Sequence, residues 1–241
     1  MGHGDSVSAG AMTTRVRVQR TAGGDRRLEI DGTFASYWRA GRVATGSVWD
    51  ALAAPLLLLP PARRRRVLIL GLGGGSAARL VRALAPDAHV VGVERDAAVV
   101  AAARRHFELD ALGVEVVQDD ALRVLERERR RFDLVIEDCF VGRGRAERKP
   151  PGLPSPGLAH AARRLSEGGI LVVNTLDETA EVARVLAGLL PHRLELRVAG
   201  YDNRVLAASA RPVAARALRA ALARDPVLGE SAARLSLRTR A

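Results

Sequence analysis

From Arg66 onward the chain alternates two textures. Short, continuous apolar runs rich in Val, Ile and Leu are separated by Ala-rich stretches whose apolar residues recur at helical spacing. The runs fall at residues 67–70, 89–93, 114–117, 132–137 and 170–174, and the helical stretches at 76–84, 96–107, 120–131 and 156–165. A strand that is apolar at every position has no solvent face, so these runs belong in a parallel sheet covered on both sides and joined by helical crossovers. The pattern predicts an α/β class, with a Rossmann-like, doubly wound and mostly parallel sheet.

The flanks read differently. Residues 15–18 and 28–30 alternate polar and apolar around Ala22-Gly23-Gly24-Asp25, which predicts a small N-terminal β-hairpin. Residues 49–59 read as a helix that stops at Pro60-Pro61. After a helix at 179–190, two strand-like runs at 193–199 and 204–209 are joined by Gly200-Tyr201-Asp202-Asn203, a turn that returns the second strand antiparallel. A helix over 212–223 follows. The expected organisation is a flexible leader (1–12), the hairpin with its connecting helix (13–62), the Rossmann-like domain (63–223) and a basic tail (224–241).

Composition adds limits. With 241 residues, 48% of them hydrophobic, the chain can bury the core of one domain. The formal net charge of +11 comes from 37 Arg and one lysine, Lys149. It is concentrated at residues 142–149, with four cations against Glu147, and at residues 211–241, with seven arginines against Asp225 and Glu230. Neither segment gathers cations in the stripe that nucleic acid requires, so nucleic-acid binding is not expected. The single Cys139 excludes an intramolecular disulfide and fits a cytoplasmic protein. The longest apolar stretch, 51–59, is interrupted by Pro55 and is too short to span a bilayer, and no histidine spacing suggests a metal site.

The chemistry-bearing residues cluster at the ends of the strand-like runs. Val67-Leu68-Ile69-Leu70-Gly71-Leu72-Gly73-Gly74-Gly75-Ser76 reads as a strand, a glycine turn and a helix, where a ligand approaches backbone that carries no Cβ. Glu94 ends the second run, 23 residues after Gly71, where a carboxylate can accept both hydroxyls of a ribose. Asp119-Asp120 follows the third; Asp120 serves equally as a helix N-cap or as a partner for an adenine amino group. Glu137-Asp138 ends the fourth. In open parallel sheets ligands bind outside the carboxyl ends of the strands, and all these residues fall on that edge.

Together the segments LILGLGGGS, VVGVERD, VVQDDALRVL, FDLVIEDCF and LSEGGILVVN resemble the class I S-adenosylmethionine-dependent methyltransferase fold, in particular its spermidine synthase-like branch. The resemblance spans roughly residues 26–210. It implies that Gly71, Gly73 and Gly75 admit the methionine part of the cofactor, S-adenosylmethionine or its decarboxylated form. It further implies that Glu94 holds the ribose, that Asp119 and Asp120 lie near the adenine, and that Asp138 orients or deprotonates the acceptor. Asp138 matches the first aspartate of the aminopropyltransferase D-x-x-D signature; the second falls on Val141, Gly74 replaces a usual aspartate, and Gly46-Ser47-Val48-Trp49-Asp50 stands where a Tyr-His-Glu is usual.

A polyamine needs carboxylates along its channel. The loop after Asp138 carries Arg143, Arg145, Arg148 and Lys149 against Glu147; if it folds over the pocket instead of standing in solvent, it favours an anionic or neutral acceptor. With the departures above, a methyltransferase with a small-molecule or protein acceptor is expected ahead of an aminopropyltransferase. A non-catalytic binding protein on the same scaffold and a nicotinamide-dependent oxidoreductase are the remaining readings. The acceptor surroundings are expected to include Tyr37, Trp38 and Trp49. A homodimer is left open, and no membrane or metal is expected.

Overall fold

The structure, a computed structural model, describes residues 14–240; the expected leader lies outside the described residues. The N-terminal hairpin is real and gains a strand: β1 (Val16–Arg20), β2 (Arg26–Ile30) and β3 (Thr33–Trp38) form an antiparallel three-stranded sheet. The expected helix at 49–59 divides. Helix α1 (Val48–Ala53) passes into a 3₁₀ turn at Ala54–Leu58, because Pro55 sits in the first turn without a backbone N–H to donate.

The main sheet contains β4 (Arg66–Leu70), β5 (His89–Val93), β6 (Glu115–Val117), β7 (Phe132–Glu137) and β8 (Leu165–Thr175), all parallel. The intervening helices are α2 (Ser76–Leu84), α3 (Ala97–Phe107), α4 (Ala121–Arg127) and α5 (Leu158–Arg163). After α6 (Thr179–Leu189), β9 (His192–Val198) and β10 (Arg204–Ser209) form the expected hairpin, with β10 antiparallel to β8. Helix α7 (Ala215–Leu222) precedes β11 (Leu235–Arg240), and the strand order is β11-β9-β10-β8-β7-β4-β5-β6.

Two-sided burial explains the unbroken apolar runs. Val67 and Ile69 of β4 pack with α1, α2 and α7 on one face, whereas Leu68 and Leu70 pack with α4, α5 and α6 on the other. Helix α3 covers the N-terminal sheet instead: Val99 and Phe107 meet Leu28 of β2.

Three boundaries depart from the expectations, each for a local reason. Helix α4 ends at Arg127 because Glu128 turns extended, its carboxylate accepting the N–H groups of Arg129 and Arg130. Helix α5 begins at Leu158 because Ser155, ahead of Pro156, is extended rather than helical. The basic tail is no tail over the described residues: β11 pairs with β9, and Ser231 donates to the buried carboxylate of Asp50 at 2.6 Å. Asp50 also accepts from Thr45 and Gly46, so the stretch around α1 and the C-terminal segment share one buried polar junction.

Candidate active site

A cavity of about 490 Å³ opens at the carboxyl ends of β4, β5, β7 and β8, roofed by β3 and by the segments following β7 and β9. Its floor is the glycine turn. Gly71 has φ +84, and a Cβ there would stand 2.5 Å from the carbonyl oxygen of Asp138, so only glycine lets the ends of β4 and β7 lie this close. The amides of Gly71 and Leu72 donate to the Val93 carbonyl. Ser36 of β3 docks on the same turn, its hydroxyl accepting the Gly74 N–H at 2.6 Å and its Cβ standing 2.8 Å from where a Cβ on Gly74 would lie. Gly73 and Gly75 also have positive φ, but Gly75 meets Leu109 and does not line the cavity.

Glu94 reaches across from β5. One carboxylate oxygen accepts the Gly73 N–H at 3.0 Å and the other the Asp96 N–H at 3.1 Å, leaving lone pairs on both for a ligand diol. Burial pushes its carboxyl above the ordinary range, and those N–H groups oppose the shift. Asp120 caps α4, with Oδ1 accepting from Leu122 and Arg123; it lines the cavity as well, so both of its expected roles are sterically open. Asp119 also lines the cavity, but its carboxyl is engaged. The Asp120 N–H first, and then Arg127 at 2.5 Å, hold it below the usual carboxylate range.

Asp138 is gripped from two sides. Asn174, at the end of β8, donates to Oδ1 at 2.7 Å, and the indole N–H of Trp49 donates to Oδ2 at 3.1 Å. Asn203, in the β9–β10 turn, in turn donates to the Asn174 side-chain oxygen at 3.1 Å. Desolvation outweighs these hydrogen bonds and raises the Asp138 carboxyl to about 6. A carboxylate with that basicity is suited to take a proton near neutral pH. Glu137, its neighbour, points away and is 1% exposed, paired with Lys149 at 2.7 Å. Burial pushes the Cys139 thiol well up, which makes it a poor nucleophile.

The structure corrects one sequence expectation in particular. Three of the cations after β7 are engaged elsewhere: Arg143 pairs with Asp31, Arg148 donates to the Ala146 carbonyl, and Lys149 is buried against Glu137. The charged residue of that segment among the described lining residues is Glu147. Eight acidic residues line the cavity, Asp31, Glu94, Asp96, Asp119, Asp120, Asp138, Glu147 and Asp202; among the described lining residues the one cation is Arg95.

Of the expected aromatic residues, Trp49 lines the cavity, while Tyr37 bonds Asp25 and Trp38 lies under Arg26. Phe34, Phe140 and Tyr201 take their places. The residues sequence reasoning missed, Asn174 and Asn203, carried one signal each: an amide ending an apolar run, and a place in the hairpin turn.

A nucleoside sulfonium fits these residues. The cavity has the volume of a small-ligand site, the glycine turn lets a ligand approach the backbone, and Glu94 offers free acceptors where a diol would lie. Among the described residues no group of three or more His, Cys, Asp or Glu has metal-holding geometry, and no helix is long and apolar enough to cross a membrane.

Comparison with known proteins agrees with this geometry. A family model described as a methyltransferase domain matches residues 67–169, about 43% of the chain. A polyamine aminopropyltransferase of Neisseria meningitidis is 29% identical over 123 residues, 50% of this chain and 46% of that protein, so the match spans about half the length of the curated relative. Among solved structures, a probable spermidine synthase from Corynebacterium glutamicum superposes with a TM-score of 0.75 at 20% identity, covering 97% of this chain and 91% of that one. Spermidine synthase from Thermotoga maritima gives 0.67 at 19% identity, covering 84% and 72%. Human methyltransferase-like protein 13, in complex with SAH, gives 0.59 at 20% identity, covering 77% and 90%. The chain therefore has the class I S-adenosylmethionine-dependent methyltransferase fold, with spermidine synthases among its structural relatives.

Proposed function

We propose that the protein is a transferase that moves an alkyl group from an adenosyl sulfonium donor to an amine, with decarboxylated S-adenosylmethionine as the donor that suits the cavity best. The observation that carries this reading is the excess of carboxylates in the lining, with Arg95 as the described cation. A cationic amine entering such a site exchanges water for carboxylates, whereas the carboxylate of S-adenosylmethionine would need a cation or free amides. In the glycine turn the amides of Gly73 and Gly74 are already engaged by Glu94 and Ser36.

When bound, the donor supplies an alkyl group already activated on positive sulfur. The chain's own work is to hold and to deprotonate. Glu94 binds the ribose hydroxyls, the glycine turn admits the donor's side chain, and Asp138, fixed by Trp49 and Asn174, receives the acceptor's proton. Methyl transfer from S-adenosylmethionine is the second reading, favoured by Val141 standing in the cavity wall where the aminopropyltransferase signature has its second carboxylate.

Calorimetry with S-adenosylmethionine, its decarboxylated form and NAD separates the readings, followed by mass spectrometry of products with a short α,ω-diamine as acceptor. Tight binding of S-adenosylmethionine with none of the decarboxylated donor would overturn the first reading in favour of the second. Glu94→Ala should weaken donor binding by roughly 10–100-fold, since a hydrogen bond to a charged group contributes about 1.5–3 kcal/mol. Unchanged affinity would show that the ribose lies elsewhere.

A further inference from the structure

Lys149 is the one lysine of the sequence, and it is buried, 5% exposed, in a surface-connected segment. Its ammonium donates to Glu137 Oε1 at 2.9 Å and to the Cys139 carbonyl at 3.1 Å, with Oε2 of Glu137 at 2.7 Å and the Phe140 ring centroid 4.1 Å away. Glu137 Oε1 accepts the Cys139 N–H at 2.8 Å. Both backbone polar groups of Cys139, the residue directly after Asp138, are therefore tied to this ion pair.

The pair also joins two walls of the cavity. Asp138, Phe140 and Val141 line it from the end of β7, and Glu147, Pro150 and Leu153 line it from either side of Lys149. The segment between is closed by reciprocal bonds of 2.9 Å between Val141 and Arg148, and the Lys149 N–H donates to Glu178 at 2.7 Å. A buried ion pair can often be replaced by well-packed apolar residues at no loss of stability, so stability alone does not call for one here. Directional bonds to a single peptide are what an apolar pair could not supply.

We propose that Glu137 and Lys149 are positioning residues of the candidate active site, their ion pair clamping the peptide behind Asp138 to the segment that roofs the cavity. The importance of that clamp for catalysis rests on the transferase reading; the clamp itself does not. Opening the pair frees the roof, so Glu147 and Pro150 lose their fixed places over the ligand. The charged groups that act on Asp138 are Lys149, which favours its ionised form, and Glu137, which disfavours it; its contacts from β8 and α1, Asn174 and Trp49, are neutral.

The test compares the unmodified protein with Lys149→Met and with the double variant Glu137→Leu/Lys149→Met, which removes both charges and keeps the site apolar. Hydrogen exchange at the Val141 and Arg148 amides should accelerate at least tenfold in both variants, while β4 and β7 stay protected. Titration of ¹³C-carboxyl-labelled aspartate, with the Asp138 signal identified by its loss in Asp138→Asn, should show Asp138 ionising at higher pH in Lys149→Met. Wild-type exchange in the double variant, or an unmoved Asp138 titration in the single one, would mean that the pair only fills space and would overturn the proposal. If the clamp behaves as expected but no sulfonium binds even the unmodified protein, the transferase reading fails and the clamp stands.

Discussion

Asp138→Asn is expected to lower transfer by about 10²–10⁴-fold, the range over which a positioned general base acts, while donor affinity changes little. The same variant carries a pH signature. In the folded protein the Asp138 carboxyl titrates near 6, against an ordinary value of 3.8. Between those limits the folded state binds more protons than the unfolded one, so this group's contribution to stability falls as pH rises through the window. Above about pH 6 the cost of keeping it ionised approaches about 3 kcal/mol, which the amide does not incur. The stability of the unmodified protein relative to Asp138→Asn should therefore decline from pH 4 to pH 7, as followed by urea unfolding. A constant difference across that range would show that Asp138 is not desolvated as described. Transfer itself should rise with pH through about 6 as the base ionises.

Gly71→Ala should destabilise by about 3 kcal/mol or more and lower Tm by roughly 6–12 °C. Two costs combine. A φ of +84 is strained for alanine, and the new Cβ would lie 2.5 Å from the Asp138 carbonyl oxygen and 2.8 Å from its carbon, both backbone atoms that no rotamer can move. Relief requires β7 to withdraw from β4, which carries Asp138 away from Trp49 and Asn174, so activity should fall further than stability explains. Gly41→Ala is the matched control: its φ is +67 with nothing within 4 Å of a Cβ, so it should cost only about 1 kcal/mol of backbone strain. Equal losses in the two variants, read by calorimetry, would remove the steric part of the explanation.

Much of the fold was legible because burial on both faces leaves a one-dimensional trace. Leu68 and Ile69 face opposite layers and are both fully buried, so the strand is apolar at every position and needs no partner to be recognised. The turn chemistry at 200–203 was legible for a similar local reason. What misled was equally local. Residues 224–241 look like a basic tail until Ser231 finds Asp50, 181 residues away, and β11 finds β9, contacts that no short window contains.

The site divides along the same line. By itself the sequence determined which carboxylates end which strands, because strand ends and glycine turns are local features: Gly71, Glu94, Asp120 and Asp138 all lie on the edge where the pattern puts them. Only the tertiary structure decided what surrounds them. The basic segment after β7 has the composition of an anion-binding lid, yet its lysine turns inward to Glu137, its Arg143 turns to Asp31, and among its described residues the charge in the cavity lining is Glu147. Which way a side chain faces in an irregular segment depends on partners distant in the chain, and no periodicity records them. The charge of +11 therefore describes the whole molecule, whereas the cavity that meets the ligand is lined mainly by carboxylates.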